Sequence, residues 1–234
     1  MQIIPVIDLL NGLVVHAKKG ERQYYKPINS LLINSSKPLE MVAALLDYYP
    51  FQQLYIADLN AIQKLGDNHY NLIESIAHYF PNLKLWIDAG ISNKTELDFW
   101  NNIYSNLIFA SESFSRIENF LTLKNMQHLN FILSLDFMVN GYIGPAELLK
   151  NSQYWPKDVI VMTLANVGTN QGVNNVQINK VLQLAKDHNI YAAGGVRNID
   201  DLIKLKDMSV HGALIATALH QKQFTYQQLD SLCK

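Results

Sequence analysis

The chain reads as an α/β protein, a single (β/α)8 barrel over residues 1–234 built from two similar halves. Three observations predict it. Apolar strand-like runs alternate with amphipathic segments along the whole sequence, and short motifs recur at a nearly constant offset between the two halves. The length of 234 residues also falls close to the ~250 that one such barrel takes.

The elements follow in order. Ile3 to Gly12, reading Ile-Ile-Pro-Val-Ile-Asp-Leu-Leu-Asn-Gly, is the first strand, ending on a carboxylate, and Leu13 to Ala17 is a short second strand. Lys18 to Lys37 is polar and aromatic, and its ~20 residues exceed what compact domains usually leave unstructured, so an active-site lid competes with a plain surface loop. Pro38 suits the first turn of a helix through Tyr49, with Leu39, Val42, Ala43 and Leu46 on one face. Further strands are expected at Gln53 to Asp58, Leu83 to Asp88, Leu107 to Ala110, Asn130 to Asp136, Val159 to Thr163, Ile190 to Ala193 and Ala213 to Ala216. Helices are expected at Asn71 to Phe80, Lys94 to Tyr104 behind an Asn93 cap, Arg116 to Met126, Pro145 to Asn151, Gln177 to His188, Ile199 to Lys206 and Tyr226 to Leu232. Most of the strands are continuous apolar runs, as in a parallel sheet covered on its outer face.

Closure into a barrel is argued from the repeat. Ala89-Gly90-Ile91-Ser92-Asn93 matches Gly194-Gly195-Val196-Arg197-Asn198, Ile108 to Ser111 matches Leu214 to Thr217, and Asp58 with Gly66 falls where Thr163 with Gly172 does, at offsets of 105 or 106. Asp136, shortly followed by Asn140-Gly141, answers Asp8, shortly followed by Asn11-Gly12, but Asp8 to Asp136 is an offset of 128, so the first unit carries 23 extra residues in its long loop.

In such a barrel the chemistry lies at the carboxyl ends of the strands. Asp8, Asp58, Asp88 and Asp136 close strands there, and Glu112 follows another. One such acid is usually a turn or helix cap; five on one rim point to a site. Strands one and five face each other across an eight-membered ring, so Asp8 and Asp136 are expected to flank a bound molecule as general acid and base. Gly194 and Gly195, with Ala216 and Thr217 after the last strand, are the expected phosphate seat, because glycines let backbone N–H groups approach an anion. Arg197 follows the glycine turn, and His220 lies one turn beyond the seat. Lys18, Lys19, Arg22 and Lys26, mixed with Tyr24 and Tyr25, are candidates to close over a ligand, and His16 is a core or rim residue.

Composition sets bounds. A formal net charge of −1 gives no reason to expect nucleic acid or an acidic membrane as partner. The one cysteine, Cys233, forms no internal disulfide, so a cytoplasmic location is expected. No membrane span or leader is expected, since no run approaches ~18 apolar residues and Met1 leads straight into strand-like sequence. The seven histidines show no metal-ligand spacing, and neither a dinucleotide fingerprint nor a Walker loop is present, so neither metal nor cofactor is expected.

Ile4-Pro5-Val6-Ile7-Asp8-Leu9, Ala57-Asp58-Leu59-Asn60-Ala61, Ala193-Gly194-Gly195-Val196 and Ile215-Ala216-Thr217-Ala218-Leu219, in this order, resemble the histidine-biosynthesis family of sugar isomerase and cyclase barrels, HisA and HisF. For HisA the resemblance implies a cofactor-free Amadori rearrangement of a phosphoribosyl aminoaldose to an aminoketose. Asp8 would then be the base, Asp136 the acid that opens the ring, and Thr163 an assisting group. Asp58, Asp88, Glu112, Gly168 and Arg197 would contact substrate.

The sequence departs from this pattern in the first half. HisA places a second phosphate on turns after strands three and four, where this chain has Asp88-Ala89-Gly90 and Ala110-Ser111-Glu112; after strand six, Val167-Gly168-Thr169 lacks the acid of Asp-Gly-Thr. Two carboxylates facing a phosphate dianion are unfavourable by several kcal/mol even at an effective dielectric near 20. The expected substrate is therefore a smaller monophosphate, with an amine near Asp88 and Glu112. Residues 134–137 and 162–168 are also similar to a HisA-like subgroup of methylotrophs and methanogens associated with one-carbon cofactor biosynthesis. Two alternatives stand beside this reading: genuine HisA activity, with cations from the long loop admitting the second phosphate, and a binding or assembly protein that has kept only the barrel.

Overall fold

A computed structural model describes residues 1–103, 105–126, 130–168 and 172–233. Eight parallel strands form the barrel: β1 (Gln2–Leu10), β2 (Gln53–Asp58), β3 (Lys84–Asp88), β4 (Asn106–Ala110), β5 (Phe131–Met138), β6 (Asp158–Thr163), β7 (Asn189–Ala193) and β8 (Gly212–Ile215). Each pairs with its successor, and β8 pairs back on β1, with Gln2 to Pro5 opposite Gly212 to Ile215. That last pairing closes the ring.

Helices cover the outside: α1 (Pro38–Tyr48), α2 (Tyr70–Tyr79), α3 (Lys94–Trp100), α4 (Ile117–Lys124), α5 (Ala146–Lys150), α6 (Asn175–Leu182), α7 (Ile199–Asp207) and α8 (Tyr226–Cys233). The strands are apolar on both faces because both are buried. Leu54 and Ile56, Leu107 and Phe109, and Val159 and Val161 pack outward against the helices, while Tyr55, Ala57, Ile108 and Ile160 fill the barrel. Trp86 and Tyr191 meet edge to face inside it, with ring centroids 4.9 Å apart.

The repeated motifs have local causes. Asn93 and Asn198 cap α3 and α7, their side-chain oxygens accepting from the amides of Glu96 (3.1 Å) and Asp201 (3.2 Å). Both Asn-Gly pairs sit at hairpins: Asn11 and Gly12 turn β1 into the antiparallel Leu13–His16, while Val139 and Asn140 turn β5 into the antiparallel Gly141–Ile143. The second hairpin strand was not expected, since three residues give too short an apolar signal.

Two helices end early. Expected through Tyr104, α3 stops at Trp100, where the Asn102 amide turns back to the carbonyls of Asp98 and Phe99, both at 3.1 Å; Tyr104 itself lies outside the described residues. Expected through His188, α6 stops at Leu182, where Leu184 and Ala185 donate to Val181 and Leu182 in tight i→i−3 bonds.

Candidate active site

A cavity of about 670 Å³ opens at the carboxyl ends of the strands. Asp8, Asp88, Glu112 and Asp136 line it, with Tyr55 below, Gly168, Gly194, Gly195, Arg197, Ala216 and Thr217 on the second-half side, and Arg22 and Tyr25 reaching in from the long loop. Strand alternation puts the acids there: β1 sends Ile4, Val6 and Asp8 inward, and β5 sends Ile132, Ser134 and Asp136. Strands one and five of a ring of eight are opposed, so Asp8 and Asp136 look into one space from two sides.

Asp136 is held by a dense hydrogen-bond network. Ser134 Oγ donates to Oδ1 at 2.6 Å, and the Glu112 amide donates to Oδ2 at 3.1 Å. Ser111 Oγ lies 3.2 Å from Oδ2, accepts the Asp136 amide at 2.9 Å, and sits 2.6 Å from the Ile143 carbonyl. The single Ser111 hydroxyl proton thus faces two acceptors, with the Ile143 carbonyl the nearer. Burial, reinforced by the charges of Glu112 and Asp88 and opposed by the hydrogen bonds from Ser134 and the Glu112 amide, pushes the carboxyl up to about 8.

Asp8 differs. Among the described residues its carboxylate has no hydrogen-bond partner. Burial raises its pKa to about 7, with Asp88 adding to the rise and the Arg22 guanidinium opposing it. A carboxyl without donors, near half ionisation at neutral pH, is suited to take up a proton.

Asp88 accepts from Tyr55 Oη at 3.0 Å and the Gly90 amide at 3.1 Å, and burial holds it near 6. Glu112 forms an ion pair with Arg22. Of residues 18–37, Gly20, Arg22 and Tyr25 line the cavity; the Lys19 amide donates to the Val167 carbonyl beyond β6 at 3.0 Å, and Lys26 and Pro27 pair with His16 and Val15. Of the cations in this stretch only Arg22 lines the cavity; Lys18, Lys19 and Lys26 do not.

On the second-half side, Gly194 (φ +96°) and Gly195 (φ +87°) turn the backbone into the cavity. A Cβ on Gly194 would stand 2.5 Å from the Thr163 carbonyl oxygen, so only glycine fits. Thr217 faces the same space, its Oγ1 3.3 Å from His16 Nε2. Arg197 lines the cavity but gives two guanidinium N–H groups to Asp201, at 2.8 and 2.9 Å. Thr169, beside Gly168, lies outside the described residues.

Three expected roles shift. Asp58 is fully buried and does not line the cavity; its oxygens take the Ala61 and His69 amides (3.1 and 2.6 Å) and the His69 ring (2.7 Å), making it a cap and an anchor rather than a substrate contact. Thr163 is likewise outside the lining, its hydroxyl donating to the Ala193 carbonyl at 2.8 Å, where it braces the β7 turn. His220 does not reach the seat either: it is buried, lies 3.1 Å from Ser30 Oγ, and is pushed down to about 4 by burial, so it is neutral. Tyr55 was missed because an aromatic inside an apolar run reads as core, and the part Arg22 plays could not be told from that of the three lysines.

A family model described as histidine biosynthesis protein matches residues 2–225. The chain belongs to that family. An uncharacterized protein of Methanocaldococcus jannaschii is 33% identical over 226 residues, covering 94% of each chain. Two 1-(5-phosphoribosyl)-5-(5-phosphoribosylamino)methylideneamino imidazole-4-carboxamide isomerases, from Flavobacterium johnsoniae and Elusimicrobium minutum, are each 26% identical and cover 99% of this chain. They cover 98% and 100% of their own lengths, so the family barrel is present whole. Among the described residues no helix is long and apolar enough to cross a membrane, and no His, Cys, Asp and Glu side chains gather as a metal-binding group.

Proposed function

We propose that this family member is an isomerase of the HisA type that rearranges a phosphorylated aminoaldose by acid–base catalysis, with Asp136 as acid and Asp8 as base. The observation that carries the reading is the unequal setting of two opposed carboxyls: Asp136 is fully enclosed and held by Ser134, Ser111 and the Glu112 amide beside the Glu112 charge, while Asp8 has no donor and is free to accept a proton. Arg22 on the Asp8 side and Glu112 on the Asp136 side separate the two in the same sense.

The steps conserve protons. Asp136 gives its proton to the ring oxygen as the ring C–O bond opens to an imine. Asp8 removes the proton from the adjacent carbon, and the electron pair moves toward the imine nitrogen to give an enolamine. Tautomerisation to the ketone returns the protons, so no external acid or oxidant is consumed. Each positioned proton transfer contributes about 10²–10⁴-fold.

The substrate's phosphate is read onto the amides of Gly194 and Gly195 beside Thr217. At the opposite end Asp88 and Glu112 disfavour a second dianion. One observation favours the bisphosphate of the isomerase relatives: Arg22 stands at that end and cancels Glu112. Isothermal titration separates the readings. Binding of an aminoaldose monophosphate at least tenfold tighter than its bisphosphate counterpart supports the single seat; equal affinity, or preference for the bisphosphate, refutes it. The resemblance of residues 134–137 and 162–168 to a HisA-like subgroup, rather than any cavity side chain, is what supports a place in one-carbon cofactor synthesis.

A further inference from the structure

We propose that His69 and His220 are positioning residues that clamp the hairpin turn ahead of the long loop and the Ser30–Leu31 segment within it, and so hold Arg22 against the carboxylates. Neither ring lines the cavity, and both are buried. Each ring bridges the barrel and one of these two segments.

At the near end, the Gly12 amide donates to His69 Nε2 at 2.8 Å. An accepting Nε2 places the ring proton on Nδ1, which lies 2.7 Å from the fully buried Asp58 carboxylate at the end of β2. Asn60, two residues further on, accepts the Asn11 amide at 3.0 Å, so the hairpin turn between β1 and the Leu13–His16 strand that leads into the loop is tied to the end of β2. At the far end His220 Nδ1 lies 3.1 Å from Ser30 Oγ, the Leu31 amide donates to the His220 carbonyl at 2.8 Å, and the Val6 carbonyl of β1 acts on the same ring. Val6 lies two positions before Asp8 on the same strand.

Between the clamps Leu13–His16 pairs with β1, and Lys26 and Pro27 pair with His16 and Val15; from Lys18 to Tyr25 the hydrogen-bonded ties to the barrel are Lys19 to the Val167 carbonyl at 3.0 Å and the Arg22–Glu112 pair. Arg22 therefore holds its place near Asp8 because the chain on both sides of it is fixed, by the hairpin strand and by the two histidines. The inference does not depend on the substrate and is tested without one.

The experiment measures amide hydrogen exchange at Lys19, Tyr24, Ile28 and Leu31, and the titration of the Asp8 carboxyl by 13C NMR, in the full chain. His69→Leu and Ser30→Ala are expected to speed loop exchange about tenfold or more, with β-strand amides unchanged, since each removes a hydrogen bond that closes the loop. The Asp8 midpoint is expected to rise in both, because Arg22 is what opposes its rise. Arg22→Gln should raise the same midpoint with Leu31 exchange unchanged. His69→Gln, whose Oε1 can accept the Gly12 amide, should restore slow exchange. Ser30→Ala loses one hydroxyl and carries the test alone if His69→Leu fails to fold. Loop exchange at the wild-type rate in Ser30→Ala overturns the proposal, as does a freed loop with an unmoved Asp8 midpoint.

Discussion

Replacing Asp136 by asparagine tests the protonation argument through stability alone. The folded carboxyl titrates at about 8, against roughly 4 for an aspartate in the unfolded chain. Between these values the native state holds a proton that the unfolded chain has released. Stability therefore falls as pH rises through this window, by up to ~1.4 kcal/mol per pH unit from this one group. Across the window, about four pH units, the wild type gives up about 5–6 kcal/mol, and none of it applies to a side chain that cannot ionise. The asparagine has a cost of its own. Its NH2 can donate to Ser111 Oγ as the protonated acid does, but it then faces the Glu112 N–H, losing one hydrogen bond worth about 1 kcal/mol. Asp136→Asn should thus be slightly less stable than wild type at about pH 4 and more stable, by roughly 4 kcal/mol, at about pH 8.5. Urea unfolding followed by tryptophan fluorescence at several pH values reads the crossing directly. Parallel stability profiles for the two proteins would refute the buried, protonated Asp136.

Three other outcomes follow from the same geometry. Asp8→Asn should lower kcat by about 10³ with KM nearly unchanged, since a lone general base acts on the transition state and not on binding; a tenfold or smaller loss in a steady-state assay would remove its role. Arg22→Gln should move the acidic limb of the kcat/KM pH profile upward, because Asp8 loses the cation that opposes its raised pKa, and an unmoved limb would show that the two do not interact. Gly194→Ala puts a methyl 2.5 Å from the Thr163 carbonyl at φ +96°, so it should abolish the thermal stabilisation of the protein by inorganic phosphate while lowering Tm by several degrees; retained phosphate protection would place the anion elsewhere.

Much of the barrel was legible because its strands are buried on both faces and its two halves repeat. The extra 23 residues inferred for the first unit match the interval between β1 and β2, which exceeds that between β5 and β6 by that amount. Asn93 and Asn198 were legible as a repeat, and the structure shows why: each caps a helix. Helix ends were less so, since side-chain to backbone bonds such as those of Asn102 compete with the next turn.

In the site, Asp8 and Asp136 were legible from strand alternation, which dictates the face a residue takes. Asp58 was misread because being the last residue of a strand does not settle direction: it pairs with Leu9 in the β1–β2 register and turns to His69, while Asp8 and Asp88 turn inward. The Asp58–His69 partnership spans 11 residues of loop with no periodic signal, and the Ser30–His220 contact spans 190 residues, so neither could be read from spacing. Arg22 was one cation among four, and only the folded loop distinguishes it.

The measurement closest to the centre of this account is 13C NMR of the aspartate carboxyls through a titration from pH 4 to 9, with Asp8→Asn and Asp136→Asn used to identify the two signals. Asp136 is expected to titrate near 8 and Asp8 below it near 7, with Asp88 lower again near 6. Midpoints for both near the ordinary aspartate value, or Asp8 titrating above Asp136, would contradict it.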